Sequence, residues 1–276
     1  MNSISKNTIA PANNASLARA NALLSDGRLV ALPTETVYGL AADATNGKAV
    51  ARIFEAKGRP QFNPLICHVS GIDMALEYAD INDDALALMK AFWPGPLTLV
   101  LPLKPNAKIH PLVSAGLDTI GLRHPRGLMA DLAAQIGSPL AAPSANASGK
   151  ISPTTAQAVL DSLSNKVDLI IDDGACAVGL ESTIVKVEDD RLVLLRPGSV
   201  TLSDLEKVSH LNLLQAKANS AIQAPGMLAS HYAPNASMRL NVKVVNQDEA
   251  LLAFGSKRAD GANDVMALKT YRHLVT

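Results

Sequence analysis

The chain has 276 residues, of which 48% are apolar and 18% are charged, so a large hydrophobic core is expected and extended disorder is not. Its 25 basic residues balance 25 acidic ones, which excludes the global positive field that drives nonspecific binding of nucleic acids. Aromatic residues make up only 3%, so the composition favours an α/β protein over an aromatic-rich β-sandwich or a platform that stacks bases.

The cysteine count and the hydropathy pattern also narrow the class of protein. Two cysteines, Cys67 and Cys176, are too few for a disulfide framework or a four-thiolate metal site. The first fifteen residues are polar and carry no apolar signal region, and no apolar run approaches the roughly 18 residues that a transmembrane helix needs. We therefore expect no membrane partner and a cytoplasmic location.

Apolar periodicity predicts alternating helices and strands along most of the chain. The predicted helices cover residues 17–24, 49–57, 84–92, 128–136 and 154–163. The predicted strands cover residues 29–32, 65–69, 97–101, 119–123, 139–142, 169–171, 183–187 and 192–195. This alternation, with some hairpins, predicts an α/β domain built on a twisted mixed sheet with flanking helices.

Changes in composition divide the chain into four predicted segments. They are a polar N-terminal tail (1–14), the α/β domain (15–208), a linker (209–237) and an incomplete C-terminal α/β domain (238–276). In the last segment, residues 238–245 are predicted as a strand and residues 248–254 as a helix. A segment this short buries little surface on its own.

The stretch from Lys57 to His68 contains two cations, an amide and an imidazole in a segment broken by Gly and Pro. Lys57 and Arg59 flank Gly58, which can end a helix, and Asn63 lies between turn signals. His68 ends a short apolar strand. A helix end, a loop and a strand can aim such groups at one point, which is typical of anion sites. A solvated turn explains the cation pair alone equally well.

Other candidate side chains stand at the ends of predicted strands. They are Thr36, Thr119, Arg123, Ser144, Asn146, Ser182 and Arg196. Each of them taken alone fits an ordinary cap, turn or surface charge. Together they fall where α/β sheets bind ligands. The P-loop, the G-x-G-x-x-G turn, H-E-x-x-H and His or Cys pairs at metal-ligand spacing are all absent, so no protein-held metal is expected.

The order of these motifs resembles the YrdC-like family of threonylcarbamoyl-AMP synthases over about residues 15 to 205. The matching motifs are Pro33-Thr34-Glu35-Thr36-Val37-Tyr38-Gly39-Leu40, Lys57-Gly58-Arg59-Pro60, Asn63-Pro64-Leu65, His68, Trp93-Pro94-Gly95-Pro96-Leu97-Thr98, Arg123-His124-Pro125, Pro143-Ser144-Ala145-Asn146, Glu181-Ser182-Thr183 and Leu195-Arg196-Pro197-Gly198. The resemblance implies the YrdC-like fold with a central cleft. Ala224-Pro225-Gly226-Met227 and His231-Tyr232-Ala233-Pro234 resemble the interdomain linker of the longer members, whose second domain is here expected to be truncated.

The resemblance implies a nucleotidyltransferase, L-threonylcarbamoyladenylate synthase. Such an enzyme condenses L-threonine, bicarbonate or CO2 and ATP into threonylcarbamoyl-AMP and pyrophosphate, for the t6A modification at position 37 of tRNA. Mg²⁺ is expected with ATP, and the downstream threonylcarbamoyl-transfer machinery is the expected protein partner. By resemblance, the threonine site contains Thr36, His68, Arg123, Ser144 and Ser182. By resemblance, the ATP site contains Arg59, Asn63, Thr119, Asn146, Thr154, Arg196 and the linker residue Tyr232, with Lys57 beside the phosphates and Lys57 and Arg59 as the catalytic cations.

The absence of a nucleophile motif is consistent with this chemistry. The carbamate of threonine is already an anionic oxygen nucleophile, so its attack on the ATP α-phosphorus needs positioning and charge neutralisation rather than a catalytic triad. Two alternatives stay open at this level. One is an RNA-binding or ribosome-associated module of the same fold, with weak RNA binding, and the other is a catalytically inactive regulator.

Overall fold

The computed structural model describes residues 9–216, 221–227, 238–254, 259–261 and 264–268. The chain divides into two compact units, Met1–Tyr232 and Ala233–Thr276. No helix in the described ranges is long and apolar enough to cross a membrane.

The larger unit is built on one eleven-stranded sheet. Its strands are β1 (Ile9–Pro11), β2 (Val30–Leu32), β3 (Gly39–Asp43), β4 (Ile66–His68), β5 (Leu97–Pro102), β6 (Thr119–Arg123), β7 (Leu140–Ala141), β8 (Leu169–Asp172), β9 (Thr183–Val187), β10 (Arg191–Arg196) and β11 (Asn212–Gln215). They are ordered β1-β8-β2-β3-β7-β4-β6-β5-β9-β10-β11. Neighbouring strands pair in both parallel and antiparallel orientations; for example, β4 is parallel to β6 and antiparallel to β7. The predicted mixed α/β sheet is confirmed.

Helices flank this sheet, and side-chain caps define several of their first residues. They are α1 (Asn14–Ser25), α2 (Gly47–Lys57), α3 (Ile72–Tyr78), α4 (Asp83–Phe92), α5 (Pro111–Ser114), α6 (Leu128–Ile136), α7 (Ala156–Leu163) and α8 (Leu202–Glu206). Asn46 caps α2 by accepting from the backbone N–H groups of Lys48 and Ala49. The same helix ends at Gly58, whose φ of 60° is a left-handed conformation that suits glycine.

Apolar side chains cover both faces of the sheet. In β2, Ala31 packs in one buried cluster while Val30 and Leu32 pack in another. The same alternation places Cys67 in the largest cluster and Ile66 in a third one. Strands buried on both faces are continuous apolar runs, which is why sequence periodicity located these strands well. The third cluster also contains Ala224, so this part of the predicted linker packs on the sheet.

Six elements of the larger unit were not predicted: β1, which lies in the segment predicted as a polar tail, and β3, α3, α5, α8 and β11. Strand β3 has the sequence Gly-Leu-Ala-Ala-Asp, which lacks the β-branched and aromatic residues that mark strands. Strand β11 lies inside the segment predicted as a linker and pairs in parallel with β10. The sheet therefore extends beyond residue 208, the predicted end of the α/β domain.

In the smaller unit, both predicted elements are wrong. Residues 250–254 form strand β12 (Ala250–Phe254), parallel to β13 (Asp264–Leu268), where a helix was predicted. The Ala and Leu residues of β12 favour a helix, but Leu251 and Ala253 are buried while Leu252 is exposed, and strand pairing prevails. Residues 238–245 form no strand, and Val244 makes only an isolated bridge with Asp260.

Candidate active site

A polar pocket opens among the central strands of the large sheet. Seven of the predicted site residues line it: Thr36, Arg59, His68, Arg123, Ser144, Ser182 and Arg196. They come from separate motifs spread over some 160 positions of the sequence. The fold therefore brings residues of the predicted threonine site and residues of the predicted ATP site together in one cavity.

Strand register places the central members of this group side by side. His68 and Arg123 end two parallel neighbouring strands, and their Cα atoms are direct partners. Ser144 follows β7 and bridges to Gly39, and Ser182 directly precedes β9. Because β7 is antiparallel to β4, Ser144 lies toward the start of β4, while His68 lies at its end. Ile66 and His68, two residues apart on β4, both line the pocket, so the pocket lies over one face of these short strands.

Thr36 is fixed by a local network in the loop between β2 and β3. The Thr34 hydroxyl accepts from the backbone N–H of Thr36 at 3.1 Å and donates to the Val37 carbonyl at 2.8 Å. The hydroxyl oxygens of Thr34 and Thr36 lie 2.8 Å apart. Thr34 also lines the pocket and was not among the predicted residues. The sequence signal that could have identified Thr34 as a pocket residue is its position two residues before Thr36 in the same motif.

Arg59 is held against its own loop. Its Nη2 donates to the Pro64 carbonyl at 2.8 Å, and its Nε donates to the Asn63 carbonyl at 3.3 Å. The pKa of Arg59 is lowered to about 10, mainly by burial; Glu181 opposes the shift, and Arg196 adds to it. Arg59 is thus a buried cation at the pocket wall with its guanidinium orientation set by backbone acceptors.

Arg123 is anchored on two sides. Its Nε donates to the Gly95 carbonyl at 3.2 Å, and its Nη2 lies 2.9 Å from Oε1 of Glu35 in an ion pair. Burial lowers the pKa of Arg123, and the neighbouring Glu35 opposes that shift. No role was predicted for Glu35, although it lies inside the first matched motif.

Arg196 belongs to a second buried network. Its Nη1 forms an ion pair with Oε2 of Glu181, and its Nε donates to the Ser182 carbonyl at 3.0 Å. The Ser182 hydroxyl accepts from Nη2 of Arg196 at 3.1 Å and lies 2.7 Å from the Thr98 hydroxyl. Glu181 lines the pocket and was also missed, because a single carboxylate next to Ser182 carries no chemical signature in the sequence.

His68 is neutral in this environment. Its pKa is lowered to about 3, mainly by burial and also by Arg123, while a hydrogen bond with the Leu140 backbone acts the other way. Its Nδ1 has no partner among the described residues, and the same holds for Oδ1 of Asn63 and Oδ1 of Asn146. Unpaired buried polar atoms are costly, so these three atoms suit a site that is completed by a ligand.

Five further predicted residues do not line this pocket. Lys57, Asn63 and Asn146 are buried beside it, and Thr119 lines a smaller neighbouring pocket that shares Ile66 and Pro225 with the first. Thr154 is half-buried and lines neither pocket. Tyr232 lies outside the described residues, so its predicted role is not addressed by the structure.

The pocket presents cations and hydroxyl groups rather than metal ligands. Within the described residues, no group of three or more His, Cys, Asp or Glu side chains could hold a metal ion. The two nearby carboxylates, Glu35 and Glu181, are each paired with an arginine. Fold and site together define an α/β protein with a buried, arginine-rich pocket for anionic ligands.

Comparison with known proteins identifies the family. A family model described as "Telomere recombination" (Sua5, YciO and YrdC) matches residues 22–198, and a model described as "Threonylcarbamoyl-AMP synthase, C-terminal domain" matches residues 200–273. The chain belongs to the Sua5/YciO/YrdC family, as its motifs predicted.

Curated relatives and solved structures agree with this assignment. The chain is 45% identical over 233 residues to the threonylcarbamoyl-AMP synthase of Bacillus subtilis (strain 168), covering 83% of this chain and 67% of that protein. It is 44% identical over 226 residues to the threonylcarbamoyl-AMP synthase of Pyrococcus abyssi (strain GE5 / Orsay), covering 79% and 66%. The chain thus spans about two thirds of the length of these relatives. The crystal structure of P. abyssi Sua5 complexed with L-threonine superposes with a TM-score of 0.85 at 35% identity, covering 97% of this chain and 87% of that one.

Proposed function

We propose that this chain is an L-threonylcarbamoyladenylate synthase that uses L-threonine, bicarbonate or CO2 and ATP. The observation that carries the proposal is the convergence of Arg59, Arg123 and Arg196 with buried hydroxyls in one pocket. The synthase names of the relatives and the threonine complex of P. abyssi Sua5 support it. The threonine carboxylate, the threonine carbamate and the ATP phosphates are anionic, and these groups need fixed counter-charges during the reaction.

Threonine is proposed to bind around Arg123 and His68. The guanidinium of Arg123 is held by Gly95 and Glu35, which leaves its remaining N–H groups for the threonine carboxylate. The unpaired Nδ1 of neutral His68 can take one hydrogen bond from the ligand or give one, depending on its tautomer. Thr36, Ser144 and Ser182 offer hydroxyl groups in the same pocket.

ATP is proposed to bind toward Arg59 and Arg196, with Thr119 in the neighbouring pocket near the base. The two arginines carry fixed positive charge where the phosphates would lie, and both are held by acceptors of the protein itself. Asn63 and Asn146 each keep an unpaired amide oxygen beside this region. These assignments, together with those of Thr154 and Tyr232, remain predictions that binding measurements must test.

The reaction follows from this arrangement. A carbamate oxygen of N-carboxythreonine attacks the α-phosphorus of ATP, the bond from that phosphorus to the bridging oxygen breaks, and pyrophosphate leaves. Arg59 and Arg196 would offset the negative charge that gathers on the phosphates in the transition state. No proton has to be removed from the carbamate oxygen, so the pocket needs no general base at the attacking atom.

Mg²⁺ is proposed to enter with ATP as part of the nucleotide substrate. The described part of the chain offers no cluster of metal-binding side chains, and phosphate oxygens are themselves good ligands for Mg²⁺. Within the same proposal, the product passes to a threonylcarbamoyl-transfer partner for tRNA modification, and the reaction takes place in the cytoplasm.

The deciding experiment is a pyrophosphate-release assay with the purified chain, ATP and Mg²⁺. We expect release only when L-threonine and bicarbonate are both present. Release that is independent of threonine would indicate a simple ATP hydrolase, and no release under any condition would contradict the proposal. The RNA-binding alternative is not favoured by relatives that are named as synthases; it would require an RNA affinity that falls steeply with salt.

A further inference from the structure

Lys57 is a buried cation that the pocket walls do not include. Its side chain is 4% exposed, and it is the last residue of α2. Its Nζ donates to the carbonyl oxygens of Ser144 and Asn146, so two of its three N–H groups are already used by the protein.

The backbone of Lys57 contacts the same loop. Its carbonyl accepts from the backbone N–H of Ser148 at 2.9 Å. The loop 144–148 is therefore tied to the end of α2 at three points, all within a single residue of that helix. The Ser144 end of the loop also lines the pocket.

The free-energy cost of burial favours a structural role for the Lys57 side chain near the site. A buried ammonium is costly unless it is hydrogen-bonded, and the same holds for buried carbonyl groups that lose their donor. The pKa of Lys57 is lowered to about 7, mainly by burial and also by Arg59, while Glu181 opposes the shift. The hydrogen bonds to the Ser144 and Asn146 carbonyl oxygens offset part of the cost of burying Lys57, and they hold the loop 144–148 in a fixed position.

We propose that Lys57 is a positioning residue, which holds the loop 144–148 so that Ser144 and Asn146 are placed for the substrates, rather than a phosphate contact. The part of this inference that concerns ligands rests on the proposed function. It predicts that Lys57 affects threonine binding even when no ATP is present. A lysine that only contacts phosphate would affect ATP alone.

The test compares Lys57→Met, which keeps an unbranched side chain as far as Cε but removes the Nζ donors, with Lys104→Met. Lys104 donates to the Leu76 carbonyl at 2.6 Å and lies outside the pocket, so it controls for the loss of a lysine-to-carbonyl bond. Hydrogen–deuterium exchange of the ligand-free protein reports on the loop. For Lys57→Met we expect exchange of the 145–148 amides to rise by about tenfold or more, and the threonine Kd without ATP to rise by about tenfold. Lys104→Met should change neither.

Each other outcome has a defined meaning. Unchanged loop exchange and threonine affinity, with a weaker ATP affinity, would overturn the inference and make Lys57 a phosphate contact. Faster loop exchange in a protein whose wild type binds neither threonine nor ATP would support positioning while contradicting the proposed function. If Lys57→Met does not fold, Lys57→Gln replaces it, because glutamine retains one donor group. Its loop amides should exchange faster than those of the wild type, but by less than tenfold. Exchange at the wild-type rate in Lys57→Gln would overturn the inference.

Discussion

At the scale of single residues, the pocket concentrates buried positive charge. Three arginines and Lys57 lie within or beside it, and Glu35 and Glu181 pair with only two of them. Because the protein interior screens charge far less than water does, this excess favours anions and disfavours an empty, dry pocket. Burial lowers the pKa values of Lys57, Arg59 and Arg123, and a neighbouring arginine adds to the shift in each case.

Replacing Arg59 tests the proposed charge stabilisation. Arg59→Ala removes a cation whose guanidinium is oriented by two carbonyls of its own loop. We expect the rate of pyrophosphate release to fall by on the order of a hundredfold, as for other lost transition-state donors. Arg191→Ala, at an exposed ion pair on β10, is the control and should retain its rate. Near-normal turnover of Arg59→Ala would refute the assignment.

Replacing Arg123 tests its proposed contact with the threonine carboxylate. Arg123→Lys keeps the positive charge but loses the planar fork that pairs with a carboxylate through two bonds. We expect the KM for threonine to rise by about tenfold, while the KM for ATP stays near its wild-type value. Steady-state kinetics with each substrate varied in turn measures both constants. An unchanged KM for threonine would exclude this role.

At the scale of elements, the strap formed by residues 223–227 shapes the site from outside the sheet. Ala224 is buried in the cluster with Ile66 and Leu195, and Pro225 lines both pockets. Gly226 has a φ of 94°, and a Cβ built there would lie 2.6 Å from Cδ of Arg196. The strap can pass this arginine because the residue at the crossing has no side chain.

Gly226→Ala tests whether the strap positions Arg196. The added methyl group must displace either the strap or the arginine stem, so we expect a higher KM for ATP, by about tenfold. Gly116→Ala is a matched control, because Gly116 has a similar φ of 78° and no atom within 4 Å of its Cβ position. Backbone strain alone would affect the stability of both variants similarly. Equal ATP kinetics in the two variants would contradict a contact with Arg196.

At the scale of the whole molecule, the neutral state of His68 couples stability to pH. Its pKa is lowered to about 3 by burial, against an ordinary value of about 6.5, so the unfolded chain binds more protons between these values. The contribution of His68 is therefore complete above about pH 6.5 and is lost as the pH falls toward 3.

This linkage is measurable as a difference between wild type and His68→Gln. We expect the wild-type advantage in free energy of unfolding to shrink steadily from pH 7 to pH 4, because only the wild type must keep a buried imidazole neutral. Denaturant titrations at several pH values measure it. A difference that does not vary with pH would contradict the buried, neutral state.

Much of the large sheet was predictable because its strands are buried on both faces. Strand β6, helix α6 and strand β9 have the predicted bounds. Strand β12 was missed because five Ala, Leu and Phe residues favour a helix until a partner strand is present. Glu181, which lines the pocket, and Glu35, which pairs with the pocket residue Arg123, were missed for a related reason. Their importance lies in the arginines they pair with, and these are distant in sequence.

The strand order also determines when the pocket can exist. The central strands that hold His68 and Arg123 are flanked by β7 and β5, and β5 pairs with β9, from residues more than eighty positions later in the chain. Such non-local pairing makes folding slow. No partly synthesised chain that stops before Arg196 carries all three pocket arginines, so substrate binding during synthesis on the ribosome would report that the central sheet is complete.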